Sequence, residues 1–265
     1  MALNVKTKLF VILFFAGWAG VLSVLLIDFS ALVRLIPAQP GNEIPTITPA
    51  LKIVSLIQPS LLLAIAVVVG VFLAPRVGLA APVANAIASR SSIGSALKPQ
   101  LLPGLIGGII GGTLILLIAA SFKSYLTSTT LERIGQFTNL TPIAMRLLYG
   151  GITEELLLRW GFMTFLVWLG WRLLQKRKGR PGTMIFVGAI AVSAFVFGIG
   201  HLPVAFAILR ELSIALTLFV ISANSVFGLI GGYLYWKKGL ESSMTAHAVT
   251  HIVLFIASSV GAYFH

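Results

Sequence analysis

Long apolar runs separated by short polar segments organise the whole chain. A helix that crosses a bilayer needs about 20 apolar residues, and most of these runs reach that length. In chain order the runs are Leu9–Ile27, Ile53–Ala74, Leu101–Phe122, Pro142–Leu174, a run from Met184 past His201, one over Leu212–Trp236, and one from Met244 to near Tyr263. The pattern predicts an all-α, polytopic transmembrane helix bundle of seven spans, or eight if one of the longer runs is divided. The polar stretch 123–140 is predicted to lie at a membrane interface.

Composition excludes the other broad classes. Of 265 residues, 58% are hydrophobic and only 10% are charged, whereas a soluble chain carries roughly 25% charged residues. A soluble domain, a disordered chain and a coiled coil are therefore excluded, and the unbroken apolar runs exclude a membrane β-barrel. The chain has no cysteine, so disulfides and thiolate metal sites are excluded as well.

The net charge of +12 acts as a topology signal, because the basic residues sit between the apolar runs. We therefore expect lipid and no nucleic acid as a partner. Basic residues mark the cytoplasmic side, which places the amino terminus and the segments 75–100, 172–183 and 237–243 inside. The cluster at 172–180 is interpreted as a topology anchor, and the carboxy-terminal His265 is assigned no function. We expect a multi-pass protein of a prokaryotic plasma membrane.

Ionisable residues inside the apolar runs are the candidate site. A buried charge costs at least about 2.5–3.5 kcal/mol in a membrane helix, so such residues are expected to share a polar cavity. Glu155 and Arg159 are four residues apart and can pair, which leaves Glu154 free to act as a general base or metal ligand. His247 and His251 share one helix face in the same way, and His201 comes from another span. His201 lies deep in its span, whereas His247 lies near the start of its own. For the two residues to lie at the same depth in the membrane, their spans must end at unequal depths or residues 237–246 must form a re-entrant segment.

Three motifs carry a family resemblance. Thr153-Glu154-Glu155-Leu156-Leu157-Leu158-Arg159 resembles the Glu-Glu-x-x-x-Arg motif of the CAAX protease and bacteriocin-processing (CPBP) intramembrane proteases. Phe197–His201 resembles their Phe-x-x-x-His motif, and His247–His251 resembles their His-x-x-x-Asn/Asp motif, with histidine at the last place. The resemblance covers about residues 140–262. It predicts three amino-terminal spans and the interfacial segment over 1–140, and a catalytic core over 141–265.

The resemblance implies an intramembrane endopeptidase, like the CAAX prenyl endopeptidases, that cuts a membrane-associated or lipidated protein or peptide. Glu154 would activate water with His201, Glu155 would pair with Arg159, and His247 with His251 would stabilise the oxyanion. Zinc stays an open alternative, with Glu154, His201, His247 and His251 as its candidate ligands, which would make the protein a metalloprotease. No nucleotide or redox cofactor is expected. Two other functions stay open: a proton-coupled transporter, and a non-enzymatic immunity or interaction protein of the same fold.

Overall fold

The structure is a computed structural model that describes residues 4–35, 48–209 and 213–261, and every regular element in those ranges is helical. Glu43, Arg210, Glu211 and His265 lie outside the described residues. The helices are α1 (Val5–Ser23), α2 (Phe29–Leu35), α3 (Pro49–Ser55), α4 (Ile57–Val77), α5 (Pro82–Ser89), α6 (Ile93–Phe122), α7 (Ser128–Leu140), α8 (Ile143–Met145), the π-helices π1 (Arg146–Glu154) and π2 (Leu156–Met163), α9 (Thr164–Leu173), α10 (Thr183–Gly200), α11 (Leu202–Leu209), α12 (Ile214–Lys237) and α13 (Leu240–Ser259).

Six helical stretches of the described chain are long and apolar enough to cross a membrane. They are Val5–Leu26, Pro49–Val77, Ile93–Tyr125, Thr183–Leu209, Ile214–Lys237 and Leu240–Ser259. The predicted all-α polytopic bundle is thus confirmed. The predicted fourth span corresponds to α8, π1, π2 and α9, a succession we call the motif helix (residues 143–173). It carries five charged residues and is not among the six apolar stretches. The boundary between residues 140 and 141 stays a prediction.

Glycines bring α6 and α13 into close contact. A Cβ added to Gly104 would lie 2.7 Å from the Cβ of Thr245, and one added to Gly112 would lie 2.7 Å from the Cβ of Val253. Small residues at four-residue spacing permit such close packing of membrane helices. Thr245 and Val253 therefore occupy the face of α13 that meets α6, and the neighbouring face, which carries His247 and His251, is left for the other helices.

The start of α13 lies under a cover formed by residues 79–100. Leu240 is fully buried, and its amide donates to the carbonyl of Ala80 at 3.0 Å. The Glu241 carboxylate accepts from the amide of Ala84 at 2.9 Å, and the amide of Ser242 donates to Oε1 of Gln100 at 3.1 Å. Because α13 starts below this cover, its residue His247 lies deeper than a count from the helix start suggests. Unequal helix ends therefore bring the histidines level, as one of the two predicted arrangements requires.

Candidate active site

The two motif glutamates lie on a helix with an unusual backbone. The residues on either side of Glu155 form π turns, over nine residues before it and eight after it. The pairing of Glu155 with Arg159 was predicted from α-helical spacing, whereas this stretch of backbone forms π turns. π turns are rare and often occur at functional sites. Glu154 and Glu155 nevertheless point in different directions, since Glu155 is fully buried while the side chain of Glu154 is 19% exposed.

Glu155 is the centre of a buried polar cluster. Its Oε1 lies 3.2 Å from Nη1 of Arg159 and accepts a 2.8 Å hydrogen bond from Nδ1 of His247. Its Oε2 accepts a hydrogen bond from the Ser243 hydroxyl, whose oxygen also lies 3.0 Å from the carbonyl oxygen of Gly231. A buried carboxylate is tolerated when it is paired and hydrogen-bonded. Glu155 therefore ties the motif helix to α12 and α13.

The guanidinium of Arg159 is enclosed by aromatic rings and a glycine. Its central carbon lies 4.9 Å from the ring centre of Phe197 and 5.4 Å from that of Phe227, which are cation–π distances. Nη2 lies 3.5 Å from the carbonyl oxygen of Gly228. A Cβ added to Gly231 would come within 2.9 Å of Nη2, so only glycine leaves the guanidinium enough space. Arg159 is thus held in place by packing as well as by its ion pair.

Glu154 faces two imidazoles. Its Oε1 lies 4.0 Å from Nε2 of His201, and its Oε2 lies 3.8 Å from Nε2 of His247. Both distances are longer than a direct hydrogen bond, and at such distances one water can bridge the carboxylate and an imidazole. The side chain of His201 is 36% exposed, so the surrounding protein leaves this point open. The structure thereby brings together a carboxylate from the motif helix and imidazoles from α10 and α13.

The second nitrogen of each imidazole fixes its orientation. Nδ1 of His201 lies 2.8 Å from the carbonyl oxygen of Phe197, and Nδ1 of His247 lies 2.8 Å from the Glu155 carboxylate. Both partners are acceptors, so in both rings Nδ1 carries the proton. In the neutral form Nε2 then keeps its lone pair, and both lone pairs face Glu154. Each Nε2 can accept a proton, and it can donate only when its ring carries a second one.

His251 lies beside His247, one helical turn further along α13. The two rings stack with their centres 4.9 Å apart and their planes 14° apart. The Nε2 atom of His251 is the atom that a Cβ on Gly150 would meet first, so the glycine leaves the ring its space against the motif helix. In the described chain no ion pair joins His251 to Glu154. The structure therefore brings His251 next to the site, in contact with His247 rather than with the free carboxylate.

A cavity of about 170 Å³ adjoins the two α13 histidines. It lies between α12 and α13, and one further residue each comes from α6 and α10. Its lining residues are Ile115, Phe197, Phe219, Val220, Ala223, Asn224, Phe227, His247, Thr250, His251 and Leu254. Glu154 and His201 lie beside this lining. Most of the wall is apolar, so it suits an apolar side chain, while His247 and His251 provide polar groups at one end.

Asn224 is the polar residue that α12 contributes to the cavity. Two contacts set the register of α12 and α13: Ser243 meets Gly231, and the ring centres of His247 and Phe227 lie 4.1 Å apart. One helical turn further along, Asn224 of α12 and His251 of α13 both line the cavity. Its Nδ2 donates to the Val220 carbonyl at 2.8 Å. One N–H and the amide oxygen have no hydrogen-bond partner within the described ranges. Asn224 can therefore donate to a group bound in the cavity.

The candidate ligand set does not fit a metal ion as the side chains are placed. Zinc requires three or four ligand atoms at about 2.0–2.3 Å from a common point. Across residues 4–35, 48–209 and 213–261, no group of three or more His, Asp or Glu residues is arranged to hold a metal ion. The Nδ1 hydrogen bonds of His201 and His247 would suit metal ligands, but the spacing of the whole set would not.

Sequence reasoning missed Ser243, Asn224 and Phe227. Ser243 could have been found, because it lies four residues before His247 on the same helix face. Asn224 also gives a signal, since a polar side chain within a membrane span is a functional candidate by default. Phe227 gives none, because a phenylalanine in an apolar helix is indistinguishable from its lipid-facing neighbours until the packing is known.

Comparison with known proteins supports the resemblance. A family model described as type II CAAX prenyl endopeptidase Rce1-like matches residues 136–253, the stretch that contains all three motifs. The predicted family is confirmed for this stretch. The match supports a membrane-embedded endopeptidase at the level of the family. No curated protein and no solved structure matches the chain.

Proposed function

We propose that this protein is an intramembrane endopeptidase in which Glu154 activates a water molecule for attack on a peptide carbonyl. The observation that carries the proposal is the position of Glu154, which is partly exposed and faces Nε2 of His201 and of His247 at 4.0 and 3.8 Å. A general base must reach the proton it removes directly or through one water. A water that contacts the Glu154 carboxylate and an imidazole together meets this requirement.

The reaction needs one proton to be moved twice. Glu154 takes a proton from the water as its oxygen bonds to the carbonyl carbon, and the carbonyl oxygen becomes an oxyanion. When the carbon–nitrogen bond breaks, Glu154 gives this proton to the leaving amine, either directly or through Nε2 of His201, which faces the same carboxylate. The products are a carboxylic acid and an amine, and the glutamate returns to its starting state.

Glu155 acts as a positioning residue. Its carboxylate accepts the Nδ1 proton of His247, which fixes the ring and turns Nε2 toward Glu154. Arg159 balances the charge of Glu155 within the buried cluster. This arrangement resembles the carboxylate–histidine pairs that orient an imidazole in many hydrolytic sites. The two adjacent glutamates therefore have different tasks.

Hydrogen-bond donors for the oxyanion come from the cavity. His251 occupies the position at which the family motif has Asn or Asp, and Asn224 presents a free N–H in the same cavity. Donors that are held in place before the reaction stabilise developing charge without reorganisation. We assign this role to Asn224 together with His251, and the apolar cavity wall to a side chain that flanks the scissile bond.

Comparative proteomics of membranes tests the proposal. Membranes that contain the wild type, Glu154→Gln or Glu132→Gln are compared for peptides with new termini. Glu132 lies on α7, where it accepts from the side chain of Gln136, and it serves as the matched control. We expect new termini in the wild type and in the Glu132 variant, and their loss in Glu154→Gln. Identical peptides from all three membranes would refute the protease and favour the non-enzymatic or transporter alternative.

A further inference from the structure

Basic residues are concentrated at one end of the bundle. Twelve of the nineteen Lys and Arg residues belong to helix ends and loops that meet there. They are Lys6, Lys8, Arg76, Arg90, Lys98, Arg172, Lys176, Arg177, Lys178, Arg180, Lys237 and Lys238. Contacts join these segments into one surface: Lys6 lies over the ring of Phe72 near the end of α4, and Phe186 at the start of α10 stacks on Trp236 at the end of α12. We call this surface the basic end.

The opposite end carries a different balance of charge. The described basic residues there are Arg34, Lys52, Lys123, Arg133 and Arg146, and Asp28 and Glu132 offset part of their charge. This end includes α2, α7 and α11. Arg133 of α7 donates to the carbonyl of Leu209 at the end of α11, and α2 packs on α7. Lysine and arginine accumulate on the cytoplasmic side of membrane proteins. The basic end is therefore the cytoplasmic end, and the α7 end is the non-cytoplasmic one.

The catalytic groups lie nearer the α7 end. His201 is eight residues from the end of its span at Leu209 and eighteen from the start at Thr183, which corresponds to about 12 and 27 Å along a helix. Glu154 is eleven residues from the start of the motif helix at Ile143 and nineteen from its end at Leu173. Two independent helices thus place the carboxylate and its imidazole partner in the same half of the bundle.

The cavity leads from the site toward the same end. His247 forms its deeper part, while Phe219 lies five residues from the start of α12 and Leu254 five from the end of α13, both at the α7 end. At the basic end, the segment 79–100 covers α13 through the Leu240, Glu241 and Ser242 contacts. The cavity lining therefore extends toward the α7 end and not toward the basic end.

We propose that substrate enters the site from the non-cytoplasmic face. The substrates are then peptide segments that are exposed on that face and carry an apolar side chain for the cavity. Lipidated carboxy termini in the cytoplasm are not substrates. This inference rests on the proposed function for the nature of the reaction. The direction from which the site is entered rests only on the positions of the charges, the motif residues and the cavity.

Single-cysteine labelling tests the direction, and the natural chain offers a clean background because it has no cysteine. Leu254→Cys reports on the cavity, Thr129→Cys on the exposed start of α7, and Ser91→Cys on the exposed loop at the basic end. Right-side-out and inverted vesicles of the expressing membrane are treated with a small, charged methanethiosulfonate. We expect Leu254→Cys and Thr129→Cys to react in right-side-out vesicles only, and Ser91→Cys in inverted vesicles only.

Other labelling patterns would overturn the inference. Reaction of Leu254→Cys from the same side as Ser91→Cys, or from neither side, removes the proposed entry route. If Thr129→Cys reacted only in inverted vesicles and Ser91→Cys only in right-side-out vesicles, the assigned orientation of the protein in the membrane would be wrong. Labelling needs no activity, so it can succeed even if Glu154 proves not to be catalytic. As a second readout, Glu154-dependent cleavage sites found by proteomics should map to non-cytoplasmic segments, and cytoplasmic sites would refute the inference while leaving the protease intact.

Discussion

Replacement of Glu155 by glutamine is expected to destabilise the protein far more than the same change at Glu154. Glu155 is fully buried, and its partner Arg159 is 1% exposed. Glutamine is nearly isosteric but uncharged, so the guanidinium would remain buried without a counter-ion. Breaking a buried pair in this way costs about 3–5 kcal/mol. The lost charge also weakens the acceptor for Nδ1 of His247 and for the Ser243 hydroxyl.

The contrast with Glu154 provides the control. Glu154 is partly exposed, and its nearest ionisable partners lie at 3.8 and 4.0 Å, beyond direct hydrogen bonding. Its change to glutamine should therefore cost about 1 kcal/mol or less, which is the range of substitutions that break no buried network. For a chain of this size 1 kcal/mol corresponds to roughly 2–4 °C, so the two variants should melt about 10 °C apart.

Thermal melting in detergent, followed by loss of monodisperse protein, measures this difference. The wild type, Glu154→Gln, Glu155→Gln and the exposed-site variant Glu132→Gln are purified in the same way. We expect Glu155→Gln to melt lowest and to give the smallest yield, with the other three close together. If Glu154→Gln melted at or below the temperature of Glu155→Gln, the assignment of a positioning role to Glu155 and a catalytic role to Glu154 would be refuted.

Three further predictions concern the site. Gly231→Ala should destabilise by about 1–3 kcal/mol in the same melting assay, because its Cβ would collide with the guanidinium, whereas Gly188→Ala, where a Cβ meets nothing within 4 Å, should not. Asn224→Ala should lower kcat by about 10²–10³ with unchanged melting, while Ser222→Ala on the same helix should keep full activity. His251→Asn should keep activity that His251→Ala loses, without sensitivity to a chelator; loss in both, together with loss of bound metal, would instead identify His251 as a metal ligand.

The spans and the motif residues could be predicted because each depends on a local property of the sequence. Apolar runs of membrane length set the helices, and the cost of burying Glu154, Glu155 or the histidines singly in lipid predicts that they meet. The ion pair predicted from the four-residue spacing of Glu155 and Arg159 is present in the structure, where Oε1 of Glu155 lies 3.2 Å from Nη1 of Arg159. None of these inferences requires knowledge of how one helix packs on another.

The features that could not be predicted depend on packing between helices. The depth of His247 depends on the cover that residues 79–100 place over the start of α13, and no pattern in α13 itself indicates it. The π turns of the motif helix were likewise not predicted from its sequence. Asn224 faces the cavity because α12 and α13 pack in the register set by Ser243 and Gly231, a contact between distant turns of two helices.

Two adjacent glutamates with opposite surroundings explain why the site can hold charge within a membrane and still react. Glu155 is fully buried and is paired with Arg159, His247 and Ser243, so it fixes the geometry. Glu154, one residue earlier, faces the opening and lacks a direct partner among the described residues. A single carboxylate could serve one of these roles only at the expense of the other, because a base held by strong donors no longer accepts protons readily. The pair separates the two tasks. The imidazole of His247 connects them, because its Nδ1 is hydrogen-bonded to Glu155 and its Nε2 faces Glu154.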